Sequence, residues 1–432
     1  MLPISHGEKC RIGGNVNMND FRKKILVLGA GRDQVPIIKK AQEMGFYVIA
    51  VSPKGDFDGL KIANAVFYAD VKDKENILEF SKSEPISGVI SDQLDTAVTS
   101  VAYIAEKLNL PGIGFECSQY FTNKFLMRKK CKEIEIPFPE FEKVDSLING
   151  LRAVNAIGFP VVIKPVDSSG SRGVFRIDGE EEFEEKFWLA KNESSSGKVI
   201  IEKYIIGAEY FAAGFVDEYK PRLFAFANRN YFNLEKLFIP NMTIFPANVE
   251  AGVQKRLEDY HNRLIEKLKP RFGLTSSEWI YNRETDTVYL VEIAIRGGGV
   301  FISSDLIPRA YNFDSQAYLI NASLNQKNED IFKADRLNRS SAYICFLLPE
   351  GKVSRVSGLD KLKNINGVDK SFVNKIEIGE ITKPVTSKGS RLGPILISGN
   401  TRKEVERTIK EIRNTVLIEV ETSCGRSGVI WE

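Results

Sequence analysis

The stretch SSEWIYNRETDTVYLVEIAIRGGG, residues 276–299, decides how this chain is read. Two strand-like runs flank a turn around Thr285, so the segment reads as a β-hairpin. Its register sets Glu278 opposite Glu292, with Cβ atoms roughly 5 Å apart. Side chains on a strand alternate between faces, which points Glu292, Ala294 and Arg296 one way and Tyr289, Val291, Ile293 and Ile295 the other. One face is then core and the other the floor of a polar site. Two facing carboxylates repel unless a cation joins them, and Mg²⁺ favours one or two carboxylates completed by phosphate oxygens and water. The competing reading is a pair of charges on a solvated sheet face. Arg296 offers a planar fork to a carboxylate or phosphate. Gly297, Gly298 and Gly299 read as bare amides at the start of a helix, where an anion is stabilised.

Upstream, FPVVIKPV ends in Lys164 and runs into the loop DSSGSRG, which holds Ser169 and Gly170. Such a loop can wrap a phosphate chain with its amides while the lysine supplies a point charge. By itself it is equally a hairpin turn with a lysine beside it. The Walker pattern GxxxxGK[ST] is absent from the sequence, so a P-loop is not the explanation. Next comes IIEKYIIGAEY, residues 200–210, with Glu202, Lys203, Ile205 and Glu209. Backbone groups at such a strand end can pair with an adenine edge, and a carboxylate can take ribose hydroxyls. Together these pieces are equipment for phosphoryl transfer, which rests on positioning and charge neutralisation.

The chain has 432 residues, enough for two to four domains, and its 60 Lys and Arg nearly balance 57 Asp and Glu. That balance gives no reason to expect nucleic acid or a membrane as partner. No apolar run reaches the length of a membrane span and no signal-peptide core is seen, so the cytoplasm is the expected compartment. Five scattered cysteines and two histidines argue against a disulfide framework, a structural zinc site and a His-based triad. The chemistry must run on carboxylates, lysines, arginines and backbone amides.

Residues 1–20 read as a loose extension, with Met18 an alternative start. Residues 21–120 alternate strands and helices, which implies a Rossmann-like parallel βαβ domain. Its first turn, GAGRDQ, lacks the third glycine of a dinucleotide fingerprint, and Val51 and Ser52 stand where an acid would bind ribose. It reads as a plain strand-to-helix turn, or as one that holds substrate. Asp92 and Asp95 follow a strand end where ligands of such sheets bind, although Asp95 also reads as a helix N-cap. Residues 121–206 and 207–330 form two further units. The last unit, 331–432, reads as strands SAYICFLLPE, SFVNKIEIG and GPILISG, followed by a helix opened by a capping box at Thr401–Glu404.

In this order, TNKFLMRKKCKEIEIPFPEF, FPVVIKPVDSSGSRGV, IIEKYIIGAEY, SSEW and LVEIAIRGGG resemble the ATP-grasp superfamily, and within it the carboxylate-amine ligases. IRGGGVF followed by LIPRAYNFD is similar to L-amino acid ligases and to ATP-grasp proteins of cell-surface polysaccharide synthesis. The resemblance implies an α/β and α+β architecture: a Rossmann-like domain, a two-part ATP-grasp domain with the SSGSRG subdomain as lid, and a C-terminal lid-like α+β domain. It implies that Lys124, Lys164, Ser169 and Gly170 hold ATP phosphates, and that Glu202, Lys203 and Ile205 hold adenine. It places Glu209 on ribose, Glu278 and Glu292 on Mg²⁺ (or Mn²⁺), and Arg296, Gly297 and Gly298 on the carboxylate or acyl phosphate. The implied reaction activates a small-molecule carboxylate with ATP and joins it to an amine, releasing ADP and phosphate, in a protein that pairs as a homodimer. Ala294 departs from relatives with a metal-binding asparagine there, and resembles the purine-type carboxylase subunits instead. Arg229 and Arg391 are further candidates to face the substrate. A purine-type ligase, an NAD-dependent oxidoreductase and a non-catalytic nucleotide-binding protein are the alternatives.

Overall fold

The computed structural model describes residues 22–328 and 339–432, so the expected extension at 1–20 and the boundary at 330/331 lie outside the described residues. The first sheet is parallel, in the order β3-β2-β1-β4, built from β1 (Lys24–Leu28), β2 (Tyr47–Ser52), β3 (Ala65–Tyr68) and β4 (Ile86–Ile90). Four of the five β1 side chains are buried, as expected for a parallel strand covered on both faces. The carboxyl ends of β1 and β4 carry the GAGRDQ and SDQLD loops toward the middle of the molecule.

A small antiparallel sheet, β5-β8-β6-β7, follows: β5 (Phe141–Val144), β6 (Val161–Pro165), β7 (Phe175–Ile177) and β8 (Val199–Lys203). Phe183 and Phe187, from the acidic helix Phe183–Asn192, are fully buried in its core. The helix presents its glutamates and Trp188 to solvent and its two phenylalanines inward, the pattern of an amphipathic element.

The large sheet has eight strands in the order β13-β12-β9-β10-β11-β14-β18-β16. They are β9 (Ala208–Asp217), β10 (Lys220–Tyr231), β11 (Pro240–Phe245), β12 (Gly273–Asn282), β13 (Thr287–Ala294), β14 (Ser340–Phe346), β16 (Val368–Ser371) and β18 (Leu392–Gly399). A separate C-terminal sheet, β17-β15-β19-β20, contains β15 (Gly351–Ser357), β17 (Ile381–Thr382), β19 (Leu417–Thr422) and β20 (Gly425–Ser427). Three strands of the last unit thus complete the sheet of the unit before it, and the backbone ladder crosses the expected boundary through β11 and β14. The expected strand SFVNKIEIG is not formed beyond Ser371. The helix Arg402–Thr415 opens as expected: the Thr401 side chain accepts from Glu404 N, and Glu404 reaches back to Asn400 N. Among the described residues no helix is long and apolar enough to cross a membrane.

Candidate active site

The hairpin forms with Glu278 paired to Glu292, but a β-bulge interrupts the ladder between Glu278 and Trp279, which pairs with Leu290. The extra residue is Val291. A bulge lets two consecutive side chains share a face, so strict alternation fails here. Leu290, Ile293 and Ile295 enter the core, whereas Val291 joins Glu292 in lining a cavity and Tyr289 is only half-buried. The expectation that Tyr289 and Val291 face the core is thereby corrected.

Glu292 accepts an ion pair from Lys124 Nζ at 3.0 Å, and Lys124 also donates to Ser168 O at 2.7 Å. Burial alone would raise the Glu292 carboxyl. Lys124 overrides it, helped by Lys164 and Lys388, and brings it down to about 2. Glu278 is paired with Arg229 Nη2 at 3.0 Å. Each carboxylate of the facing pair therefore has its own protein cation. Among the described residues no group of three or more metal-ligating side chains occurs. A divalent cation here would take Glu278 and Glu292 and complete its shell with phosphate oxygens and water, the donor set that suits Mg²⁺.

Two cavities meet at this pair. The first lies between the small sheet and the large one. Its lining combines the apolar Val162, Ile205, Phe238 and Ile280 and the ring of Tyr204 with the cations Lys124 and Lys164 and the loop Ser168–Gly170. That combination of apolar, aromatic and cationic surface suits a purine nucleotide. The second cavity, about 340 Å³, is bordered by Arg229, Arg296, Tyr343, Asp33, Lys388 and Arg391. Ser169, Gly170, Glu278, Glu292 and Lys388 belong to both.

Glu202 lines the first cavity, where its side chain is engaged by two cations. It is 3% exposed, its carboxylate held by Lys164 Nζ at 2.6 Å and by Arg128 Nε at 2.8 Å. Burial opposes the charge, but Arg128 and Lys164 outweigh it and hold the carboxyl below its usual range. Arg128 also donates to Val291 O at 2.7 Å, tying the small sheet to the bulge. The Glu202 side chain is thus occupied by Arg128 and Lys164. The Lys203 ammonium donates to Gly158 O and Phe159 O at 2.9 and 3.2 Å. Glu209 hydrogen-bonds Tyr231. Burial chiefly, with the nearby Glu278 charge, lifts its carboxyl to about 7.

Arg296 is likewise engaged. Nε and Nη2 grip Asp95 at 2.6 and 2.7 Å, and Nη1 donates to Gly297 O at 2.7 Å. Asp95 begins its helix without capping it, so its side chain serves this fork. Gly297 N is not bare: it donates to Asp92 Oδ1 at 3.1 Å, and a Cβ at Gly297 would stand 2.3 Å from that oxygen. Asp92, fully buried, also accepts from Ser303 at 2.8 Å, and burial pushes its carboxyl up. The glycine run is followed by Val300 and Phe301, both left-handed at φ 60 and 59, then by a five-residue π turn at Ile302–Leu306 before the short helix Ile307–Tyr311. The expected helix start at the glycines is therefore displaced, and Gly297 and Gly298 are needed for close packing against Asp92 and Phe211.

Sequence reasoning did not find Arg128, Tyr231, Tyr343 or Lys388. Lys388 lies in a short turn of the C-terminal unit; burial foremost, offset by Glu278, brings its amine down to about 8. Arg391 donates to Pro240 O at 3.0 Å and to Lys388 O at 3.1 Å, which anchors that turn over the cavity. Asp33, left open in the reading of GAGRDQ, borders the second cavity.

A family model described as the ATP-grasp domain matches residues 157–304, the stretch that contributes most of the walls of the two cavities. A second model, L-amino acid ligase C-terminal domain 2, matches residues 345–421, so the chain carries both domains. The structure is similar to the crystal structure of L-amino acid ligase from Bacillus licheniformis, with TM-score 0.79 and 19% identity, covering 93% of this chain and 100% of that one. It is also similar to phosphoribosylglycinamide synthetase from Anaerococcus prevotii, with TM-score 0.72 and 19% identity, over 92% and 99% of the two chains. In sequence it is 27% identical over 187 residues to a formate-dependent phosphoribosylglycinamide formyltransferase of Methanocaldococcus jannaschii, over 42% of this chain and 48% of that relative. The matched stretch thus spans about half of that relative's length. A Sulfurisphaera tokodaii protein of the same name is 22% identical over 413 residues, covering 92% of this chain and 97% of its own length.

Proposed function

We propose that the protein is an ATP-dependent ligase that phosphorylates a small-molecule carboxylate to an acyl phosphate and transfers the acyl group to an amine. The observation that carries this reading is that the cavity beside the small sheet and the arginine-rich cavity share one wall, made by Glu278, Glu292, Lys388 and the Ser169–Gly170 loop. A phosphoryl donor in the first would meet an acid in the second at those carboxylates. When bound, Mg-ATP supplies the phosphoryl group and the charge that neutralises its transfer. The residues of the chain do the rest. Lys124, Lys164 and the loop amides hold phosphate oxygens. The backbone at Lys203–Ile205 and the Glu209 carboxylate orient the nucleoside. Glu278 and Glu292 hold the metal, and Arg296 and Lys388 set positive charge on the acid side. Arg296 is locked in place by Asp95, so it contributes its positive charge to the acid side without reorganisation. The loop at Ser168–Gly173 and its small sheet form the lid that would exclude water from the acyl phosphate.

The L-amino acid ligase C-terminal domain supports amino-acid or amino-sugar amide formation. Ala294 and the formyltransferase relatives favour a purine-type ligase as the second reading. A screen of amino acids, amino sugars, and formate with phosphoribosylglycinamide for ATP-dependent phosphate release, with mass spectrometry of the products, separates them. ADP must accompany the phosphate; AMP would remove the acyl-phosphate route. Cytoplasmic action on small molecules and a homodimeric assembly complete the proposal.

A further inference from the structure

Arg229 is only partly satisfied in the site. It is nearly buried, its side chain 7% exposed, and it holds Glu278 through Nη2 while its Nε is buried without a hydrogen bond. Directly across the sheet from it stands Thr243 of β11, and across from Thr243 stands Tyr343 of β14. Thr243 Oγ1 and Tyr343 Oη are also buried without a partner. Three neighbouring positions in one cross-strand row thus carry three unsatisfied polar atoms, where interiors normally leave almost none. Arg229 and Tyr343 border the acid-side cavity. Of the other two arginines of that cavity, Arg296 has its fork filled by Asp95, and Arg391 is held by the carbonyls of Pro240 and Lys388.

We propose that Arg229 is an exchangeable counter-ion: it clasps Glu278 until a divalent cation takes that carboxylate, and then turns its charge to the carboxylate of the incoming acid beside the Tyr343 hydroxyl. The proposal rests on Glu278 being a metal ligand, as in the function proposed above. The exchange stays within one guanidinium, since Nη2 holds Glu278 while Nε has no partner and the residue borders the same cavity as Tyr343. It also orders the site, because the acid's anchor is released only when metal arrives. A cation that competes for Glu278 must weaken metal binding, whereas one that merely positions the carboxylate must strengthen it. The two roles therefore predict opposite signs.

The test is Mn²⁺ affinity of the full chain at saturating ADP, followed by water-proton relaxation, which distinguishes protein-bound from ADP-bound Mn²⁺. Arg229→Gln should tighten Mn²⁺ about tenfold, a size in keeping with loss of a close buried ion pair. Arg229→Lys, which keeps a charge and spares the fold, should fall between wild type and Arg229→Gln, and decides alone if the glutamine variant does not fold. Unchanged or weakened Mn²⁺ affinity in the folded variants overturns the proposal. If wild type with ADP shows no Mn²⁺ signal that Glu278→Gln removes, the metal assignment in the proposed function fails first, and the exchange falls with it.

Discussion

The two ends of the site are built to different degrees. On the nucleotide side the charges nearest the phosphate loop are paired: Glu202 sits between Arg128 and Lys164, and Lys124 joins Glu292 to the loop carbonyl of Ser168. On the acid side, Arg229 Nε, Thr243 Oγ1 and Tyr343 Oη have no partner, and the half-buried Asp33 is pushed up by desolvation despite Arg32 beside it. The first end is a rigid seat for a ligand of fixed shape. The second is held open for a ligand that completes it. Such an asymmetry is what a ligase needs if one substrate is constant and the other sets its specificity.

The sharpest way to break the comparison is to remove the wall that both ends share. Glu292→Ala should lower acid-dependent ADP release about 10³-fold or more with the fold intact by circular dichroism, as expected when a group that stabilises developing charge is lost. Normal turnover would mean the shared wall is not the reaction centre. The rigid end should instead fail through stability. Arg128→Ala strands the Glu202–Lys164 pair in the interior, and breaking a buried pair costs about 3–5 kcal/mol; a melting temperature equal to wild type would show that the seat is not rigid. Lys164→Ala should weaken ATP binding about tenfold by calorimetry, the scale of one charge-assisted phosphate contact, and unchanged affinity would count against the loop as a phosphate cradle.

The pH dependence offers a smaller test on the nucleotide side. Glu209 lies at about 7, raised first by burial and then by Glu278. The raised value means that the folded state binds this proton more tightly than the unfolded one. Its contribution to stability is fully present below the ordinary carboxylate range and is lost as pH rises through about 7. Ionisation makes it a better acceptor for ribose hydroxyls. Adenosine affinity should rise a few-fold, roughly two to five, between pH 6 and 8, and Glu209→Gln should flatten that rise. The least effect is expected of Tyr343→Phe on the open end: KM for the acid up about threefold, the scale of one neutral hydrogen bond, with ADP affinity unchanged. Equal shifts in both would show that the hydroxyl only supports the fold.

What could be read in the sequence follows from range along the chain. Glu278 and Glu292 lie on one hairpin, so period and turn position were enough to set them opposite each other. Lys164 and its glycine loop are similarly local. Val291 was misplaced because a bulge inserts a residue that no periodicity shows, and the two faces exchange at that point. Arg128 and Glu202 are 74 residues apart, and Arg296 and Asp95 are 201 apart. Each was visible as a charged residue, but its partner is set by how two sheets pack. Lys388 reaches the site from a different unit, and Tyr343 reads as an ordinary apolar strand residue until its hydroxyl is found unpartnered. The C-terminal strands β14 and β18 were legible as strands; that they extend the ATP-grasp sheet was not, because strand order is a tertiary property.

The central claim is that a phosphoryl group crosses from the nucleotide cavity to a carboxylate in the acid cavity. It is tested most directly by supplying the acid found in the screen with ¹⁸O in its carboxylate and reading the inorganic phosphate by mass spectrometry. Transfer through an acyl phosphate predicts one ¹⁸O atom in each phosphate released with ADP. Unlabelled phosphate would contradict it.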